Sequence, residues 1–571
     1  MTSSLAFERH LIRENLLTEE ALERSRREAE QRGLSFVEVV ESLGFVSAEN
    51  LYRSLAGFCE LPYESPSKKT IAPELAETVP ARFAAHYDFV PLELREDTLV
   101  VAVCDPLNSH LLDDIRQVVN RQIEAVVATP EEIKRCAKAL YGLGADTVEK
   151  ILDEAAGTSS GLLSLDAPAQ SADLGDDTID ASVVKFVNEL FAEAIAVGAT
   201  DVHIEPFEDE LRVRSRIDGV LHRVPTPASI LGLHSAIVSR VKVMANLNIA
   251  EKRLPQDGKI RATVGDEAYD LRVSVLPTPH GETLNIRILS RSSMFKSLTD
   301  LGFFQDDLEA IEGFLHRPNG IVLLTGPTGS GKTTTLYASL SKLNSMDRKI
   351  ITIEDPIEYQ LKGITQMQVQ PQIGLDFASG LRSMLRHDPD IMMVGEIRDY
   401  ETAEMAIRSS LTGHLVFSTL HTNDAAGAVT RLIDMGIEPF LIASTMIAAI
   451  AQRLVRKVCE ACGEAVEPDE RLLTELGIPG SEHGGGRYRR GKGCEVCRMT
   501  GYRGRLAIGE VLPFTPEIKD LTVNRATALD FKEAGRRLGL RNLRDAGWLR
   551  VKEGITTVEE VLRVTSDTDR R

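Results

Sequence analysis

Ile321-Val-Leu-Leu-Thr-Gly-Pro-Thr-Gly-Ser-Gly-Lys-Thr-Thr-Thr335 decides how this chain is read. Five β-prone residues, Ile321 to Thr325, run into a glycine-rich loop, and a helix-forming segment follows from Thr333 to Leu343. Gly326-x4-Gly331-Lys332-Thr333 fits the P-loop pattern, in the strand–loop–helix context that the pattern needs. The glycines Gly326, Gly329 and Gly331 let backbone N–H groups turn inward and cradle phosphate oxygens. Pro327, Thr328, Ser330 and Thr334 complete the loop and the first helical turn. Lys332 is placed to reach the β- and γ-phosphates of ATP, and the Thr333 hydroxyl to sit on Mg2+.

Working outward, Lys349-Ile-Ile-Thr-Ile-Glu-Asp-Pro-Ile-Glu-Tyr359 reads as a strand ending in three carboxylates, Glu354, Asp355 and Glu358. Acids at the C-terminal end of a parallel strand face the same crevice as the P-loop. One of them can hold Mg2+ through water and another can orient an attacking water. The next apolar run, Ile391 to Val394, leads through Gly395 to Glu396, where a Walker B strand ordinarily ends in Asp. Thr412-Gly-His-Leu-Val-Phe-Ser-Thr-Leu-His-Thr-Asn423 puts His414 before a strand and His421 after it. A lone histidine is more often structural. Two in one strand segment behind a P-loop and two acidic strand ends favour contact with the nucleotide.

The chain has 571 residues, enough for several domains, with 43% hydrophobic and 26% charged residues. Its net charge of −19 argues against a general nucleic-acid surface, and so against a nucleic-acid translocase. The most apolar stretch, Phe440 to Ala451, is too short to span a bilayer, and the N-terminus lacks a signal-peptide layout. The expectation is a cytoplasmic protein that meets a membrane only through partners.

Residues 1–63 contain a repeat: Asn15 to Ser25 aligns with Gly44 to Ser54 at an offset of 29. Thr18 and Ser47 are each placed to cap a helix, with Leu22 and Leu51 facing inward at matching positions. Two helix pairs are expected. Residues 64–145 read as a small α/β module, with hairpin strands at Phe89–Leu94 and Thr98–Val103 and helices near Leu111–Val119 and Pro130–Tyr141. Residues 146–178 are expected to be a flexible linker, on the Gly, Ser, Ala and Asp content of Gly157 to Thr178. Residues 179–292 begin with a helix at Val183–Val197. Strands follow at Ala199–Pro206, Glu210–Ile217, Val220–Val224, Asp270–Val275 and Thr283–Leu289. Arg272 and Arg287 lie on strands close to a loop at Pro277–Glu282. Residues 293–571 hold the P-loop domain and end in closing helices around Trp548.

Seven cysteines in so long a chain do not suggest a disulfide scaffold, and Cys59, Cys104 and Cys136 are expected to be buried or inert. The other four form two C-x2-C pairs, Cys459/Cys462 and Cys494/Cys497, within a module at 456–505. Paired thiolates at this spacing predict a tetrahedral Zn2+ site. Four sulfurs leave no open position, so the metal would be structural.

Gly326–Thr333, Glu354–Glu358, Val394–Asp399 and Thr412–Asn423 together resemble the four boxes of the secretion ATPase superfamily: Walker A, the Asp box, an atypical Walker B and the His box. Gly427–Phe440 and Ala451–Arg456 resemble its type II secretion branch, GspE. The type IV pilus assembly ATPases, PilB, share all four boxes and are the alternative. The zinc module sets the chain apart from the retraction ATPases. The resemblance implies a multidomain α/β protein, its RecA-like P-loop motor domain carrying the zinc insertion. An α+β, PAS-like domain and the N-terminal modules would precede the motor. It implies an ATP-hydrolysing homohexamer on the cytoplasmic face of the inner membrane. Its partners would be the GspL cytoplasmic domain, through the N-terminal modules, and the platform protein GspF. By the same resemblance Glu358 activates water and Glu396 supports Mg2+. Arg272 and Arg287 reach the γ-phosphate, and Arg382 and Arg386 lie near the nucleotide or a neighbouring subunit. Some relatives bind cyclic di-GMP at their N-terminus through repeated Arg-Leu-Gly starts. Here those positions read Ala6-Phe7-Glu8 and Ser35-Phe36-Val37, so that ligand is not expected.

Overall fold

The computed structural model of the chain describes residues 2–69, 71–108, 111–158, 177–290, 297–479 and 484–565. They form two compact units, Met1–Leu289 and Ser290–Arg571. The first unit opens with α1 (Thr2–Arg13), α2 (Glu19–Arg32), α3 (Phe36–Ser42) and α4 (Ala48–Phe58). The repeat is visible in the capping. The Thr18 and Ser47 hydroxyls accept the N–H groups of Ala21 and Asn50 at 3.2 and 3.4 Å, and Leu22 and Leu51 are buried. At the repeat starts Phe7 and Phe36 are core residues, and buried Glu8 accepts from Arg26 Nε at 2.6 Å.

The second module contains α5 (Leu75–Thr78), α6 (Ala81–His86), β1 (Phe89–Arg95), β2 (Thr98–Val103), α7 (Leu111–Val119), β3 (Gln122–Val127) and α8 (Pro130–Tyr141). The expected hairpin pairs antiparallel. Strand β3, not anticipated, adds parallel to β2. Its outer half, Gln122-Ile-Glu, is not buried, so it lacks the apolar run that would announce it. Cys136 is buried. Cys59 and Cys104 are half-buried, and burial pushes both thiols up, Cys104 to about 12.

The linker expectation needs correction at its start. Helix α9 (Ala145–Thr158) continues to the point where the Gly- and Ser-rich composition begins. Val148 and Ile151, spaced i, i+3, are buried in one core with Phe186 and Val187. Residues 159–176 lie outside the described residues. Then come α10 (Asp177–Ala196), β4 (Ala199–Pro206), β5 (Leu211–Ile217), β6 (Val220–Arg223), α11 (His234–Met244), β7 (Gln256–Val264), β8 (Glu267–Thr278) and β9 (Gly281–Ser290). The sheet order is β6-β5-β4-β9-β8-β7. One face of this sheet joins a core with residues of α10 and α11, including Phe186, Leu190, Ile237 and Val241. The expected loop at Pro277–Glu282 is instead a tight hairpin between β8 and β9. Gly281 has φ 124°, and buried Glu282 pairs with Lys242 Nζ at 2.6 Å. His234 Nε2 lies 2.8 Å from the Glu282 carbonyl oxygen.

The second unit is built on one seven-stranded sheet. Its elements are α12 (Gln305–Leu315), β10 (Gly320–Thr325), α13 (Lys332–Leu343), β11 (Ile350–Glu354), β12 (Thr365–Gln368), α14 (Phe377–Met384), β13 (Ile391–Val394), α15 (Tyr400–Leu411), β14 (Leu415–Leu420), α16 (Ala425–Asp434), α17 (Pro439–Thr445) and β15 (Met446–Val458). After these come β16 (Gly463–Ala465), α18 (Glu470–Leu476), β17 (Arg489–Gly491), β18 (Tyr502–Pro513), α19 (Pro516–Val523), α20 (Ala528–Arg537), α21 (Leu543–Lys552) and α22 (Val558–Val564). The order is β12-β11-β13-β14-β10-β15-β18, parallel except where β18 pairs antiparallel with β15. Strands β10, β11, β13 and β14 are buried at every residue, which is why they read as mostly apolar runs, with buried polar exceptions that include Thr352, Glu354, Ser418 and Thr419. The apolar stretch Phe440–Ala451 divides between α17 and β15. Trp548 is fully buried, with its ring stacked on Tyr488 at 5.8 Å. Among the described residues no helix is long and apolar enough to cross a membrane.

Candidate functional site

Strand β10 ends at Thr325, and the loop from Gly326 to Gly331 turns the chain into α13. Gly326, Gly329 and Gly331 have φ of 147°, 80° and 88°, a region open to glycine and strained for other residues. Gly331 caps α13, so the first N–H groups of a twelve-residue helix point into the loop. Lys332 is buried and its Nζ donates to the carbonyls of Gly326 at 2.6 Å and Pro327 at 3.1 Å. Burial brings its ammonium down to about 8. Glu396 opposes that shift and Arg453 adds to it. Thr333 is exposed and Thr334 half-buried at the helix start.

The acidic strand ends part company. Glu354 does not open on a crevice. It is buried, with Oε1 accepting from Thr352 Oγ1 at 2.6 Å and Gln366 Nε2 at 3.0 Å, and Oε2 accepting from the Tyr337 hydroxyl. Its side chain is enclosed at the end of β11, so Glu354 is withdrawn from the three carboxylates expected to face the phosphate crevice. Asp355 is exposed and Glu358 half-buried. The Glu358 backbone N–H donates to the Tyr337 hydroxyl oxygen at 3.3 Å, tying the acidic loop to α13.

Glu396 follows β13, and His421 follows β14, the adjacent parallel strand. The two meet: His421 Nε2 lies 3.0 Å from Glu396 Oε2, while Arg398 pairs with Oε1. The Thr419 hydroxyl donates to the Gly395 carbonyl at 2.8 Å, fixing the two strand ends together. His414 belongs elsewhere. The N–H of Gly320, the first residue of β10, donates to its carbonyl at 3.1 Å, so it sits at the opposite sheet edge from the loop. Six residues of strand separate the two edges by about 20 Å. Its Nδ1 lies 2.8 Å from the Ser409 carbonyl oxygen, a helix-end contact, so His414 leaves the nucleotide set of this chain.

Arg382 pairs with Glu401 at the start of α15, and exposed Arg386 donates to the Arg382 carbonyl at 3.0 Å. In the first unit Arg272 and Arg287 lie on β8 and β9, out of step with the buried residues Leu271, Val273, Ile286 and Ile288, so both point away from the core. Arg287 Nε donates to Asp201 Oδ1 on β4 at 3.3 Å. Sequence reasoning missed Tyr337, Gln366, Arg398, Gln452 and Arg453. For Gln452 and Arg453 a signal was present, two polar residues directly after the apolar run to Ala451. For Tyr337 there was none.

The four cysteines also converge. Cys459 and Cys494 Sγ are 3.8 Å apart, Cys462 and Cys497 3.7 Å, and all four sulfurs lie within 4.8 Å of one another. A tetrahedron with Zn–S bonds of about 2.3 Å has S···S edges of about 3.8 Å, so the donor set fits Zn2+. Burial pushes the Cys497 thiol up, but the N–H groups of Cys494 and Gly501 at 3.1 and 3.3 Å, together with the Cys462 and Cys494 thiols, outweigh it and bring the thiol down to about 6.

A glycine loop on a helix N-terminus, with a buried lysine and acids at the C-terminal edge of one parallel sheet, defines a P-loop nucleoside triphosphatase. The chain belongs to the type II/IV secretion system protein family, whose profile matches residues 176–563, and within it to the GspE/PilB branch of secretion ATPases. The MshEN domain family matches residues 59–147. The type IV pilus assembly ATPase PilB of Myxococcus xanthus is 42% identical over 562 residues, covering 97% of this chain and 98% of that protein. The type II secretion system protein E of Xanthomonas campestris is 40% identical over 561 residues, covering 98% of each. Among solved structures, the pilus retraction motor PilT with bound ADP is 26% identical at a TM-score of 0.44, covering 66% of this chain and 96% of that one.

Proposed function

We propose that the chain is a homohexameric motor that couples ATP hydrolysis to pseudopilus assembly in type II protein secretion, peripheral to the cytoplasmic face of the inner membrane. The reading is supported by loop 326–333, the Glu396–His421 contact and the segment bearing Glu358, which all follow the C-terminal ends of the parallel strands β10, β13, β14 and β11. The loop N–H groups and Lys332 hold the phosphates of ATP. Mg2+ brought with the nucleotide neutralises phosphate charge, and Thr333 and Glu396 are the residues that would hold it. Glu358 orients the attacking water, held in place by the Tyr337 contact to its backbone. His421 and Arg398 fix the Glu396 carboxylate. Arg272 and Arg287 supply positive charge to the γ-phosphate as bonds break, which ties hydrolysis to domain position. Arg382 and Arg386 are surface cations suited to a neighbouring subunit. Zn2+ on Cys459, Cys462, Cys494 and Cys497 closes the 456–505 module.

The N-terminal modules dock a membrane partner, the GspL cytoplasmic domain, and the motor engages GspF. Assembly of a type IV pilus is the second reading, favoured by the full-length similarity to a pilus assembly ATPase. Two experiments test the proposal. Lys332→Ala should abolish ATP turnover while the protein stays folded, and retained turnover would refute the site. Deleting the gene should stop exoprotein export and leave surface pili; lost pili with normal export would select the second reading.

A further inference from the structure

We propose that Gln452 is a positioning residue for the phosphate loop, holding it from the neighbouring strand. Strand β15 pairs with β10 up to Ala451 opposite Thr325, and its next residue lies level with the start of the loop. Gln452 is 1% exposed. Its Nε2 donates to the Ser330 carbonyl at 3.0 Å, and its Oε1 accepts from Thr335 Oγ1 at 2.7 Å. Ser330 and Thr335 are themselves buried, so these bonds are shielded from water.

A trans peptide points its C=O and its N–H in opposite directions. Drawing the Ser330 carbonyl inward to Gln452 therefore turns the Gly331 N–H outward, to the side where a phosphate oxygen would lie. Two of the loop glycines are fitted to the same residue. A Cβ on Gly326 would stand 2.7 Å from the Gln452 carbonyl oxygen, and one on Gly331 2.8 Å from its Nε2. Their lack of a side chain thus serves packing against Gln452 as well as backbone freedom. A loop of three left-handed glycines has little conformational preference of its own. Gln452 and Thr335 supply a fixed anchor at each side of the turn into α13.

The inference rests on the phosphate role of the loop, and Lys332→Ala serves as the control for that role. If Lys332→Ala keeps its ADP affinity, the phosphate reading fails whatever Gln452 does. The test measures ADP affinity, KM and kcat for ATP, and thermal midpoint in the full chain. Gln452→Met keeps the length and loses both hydrogen bonds. It should weaken ADP and raise KM about tenfold, with kcat at saturating ATP within about threefold of wild type. Thr335→Val should weaken ADP about threefold alone and change nothing further in the Gln452→Met background, because both act through one anchor. Unchanged ADP affinity with a lowered thermal midpoint would make Gln452 a packing residue and overturn the proposal, as would additive effects in the double variant. Should Gln452→Met fail to fold, Thr335→Val decides, and wild-type ADP affinity there overturns it.

Discussion

Lys332 carries its charge buried against the carbonyls of Gly326 and Pro327, with Glu396 and Arg453 acting on it in opposite directions, and that has a measurable consequence. Its ammonium is lowered to about 8 by burial, whereas an unfolded lysine holds its proton to about 10.4. Between those values the unfolded chain binds more protons, so raising the pH stabilises the ligand-free fold, and below about 8 the cost of the buried charge is fully present. Nucleotide binding has the opposite sign, because phosphate needs the charged form. Binding to the free protein should therefore weaken as pH rises through about 8, by about tenfold between pH 7 and 9. ADP titrations across that range check this, and Lys332→Met should bind weakly with no such pH dependence. Lys332 and the loop glycines were legible in the sequence because phosphate chemistry confines residue type and spacing together, whereas Glu396, standing where an Asp is usual, was read through the family resemblance. Gln452 and Tyr337 were not legible, because a supporting hydrogen bond can come from any element that folding brings near.

Elements show the same division. Strands buried on both faces announced themselves as apolar runs, and the capped helices of the N-terminal repeat by period and cap. Strand β3 and the start of α9 failed to, one for want of a continuous apolar run and the other because a few apolar positions sit in a polar segment. The acidic loop after β11 depends on a neighbouring element, α13. The Tyr337 hydroxyl donates to Glu354 and accepts the Glu358 N–H, and its ring meets Tyr359 edge-on at 4.5 Å. Tyr337→Phe keeps the ring packing and removes the tether. It should lower kcat about tenfold with KM for ATP little changed, since the loss falls on Glu358, the residue proposed to orient water, and not on phosphate binding. The cysteine module should respond independently. Cys459→Ser should remove about one equivalent of zinc by metal analysis and leave ADP affinity near wild type, because the four sulfurs hold their own small sheet of β16 and β17. Purified wild-type protein free of zinc would refute that assignment.

At the scale of the whole molecule, the residues proposed for the chemistry belong to two compact units, each with its own core. The second holds the phosphate loop and the acids, and the first holds two outward-facing arginines on adjacent strands, anchored on a sheet whose other face is core. On the proposed reading, arginines supplied by one unit to a nucleotide held by the other would make hydrolysis depend on domain position. Arg287 is steadied by Asp201, and the hairpin that joins its strand to that of Arg272 is pinned at Glu282 by Lys242 and His234. The arginines are thus presented on a supported hairpin, as their proposed contact with transition-state charge would require. Replacing both Arg272 and Arg287 with alanine should leave ADP affinity within a fewfold of wild type and lower turnover about a thousandfold, the scale on which transition-state arginines act. Asp201→Asn should produce a smaller loss in kcat, since it loosens Arg287 without removing it. Steady-state ATPase rates of the assembled oligomer, alongside ADP titrations, separate the outcomes. Turnover untouched by the double replacement would mean that the second unit completes its own catalytic site, and the coupling of hydrolysis to domain position would have to be sought in other residues.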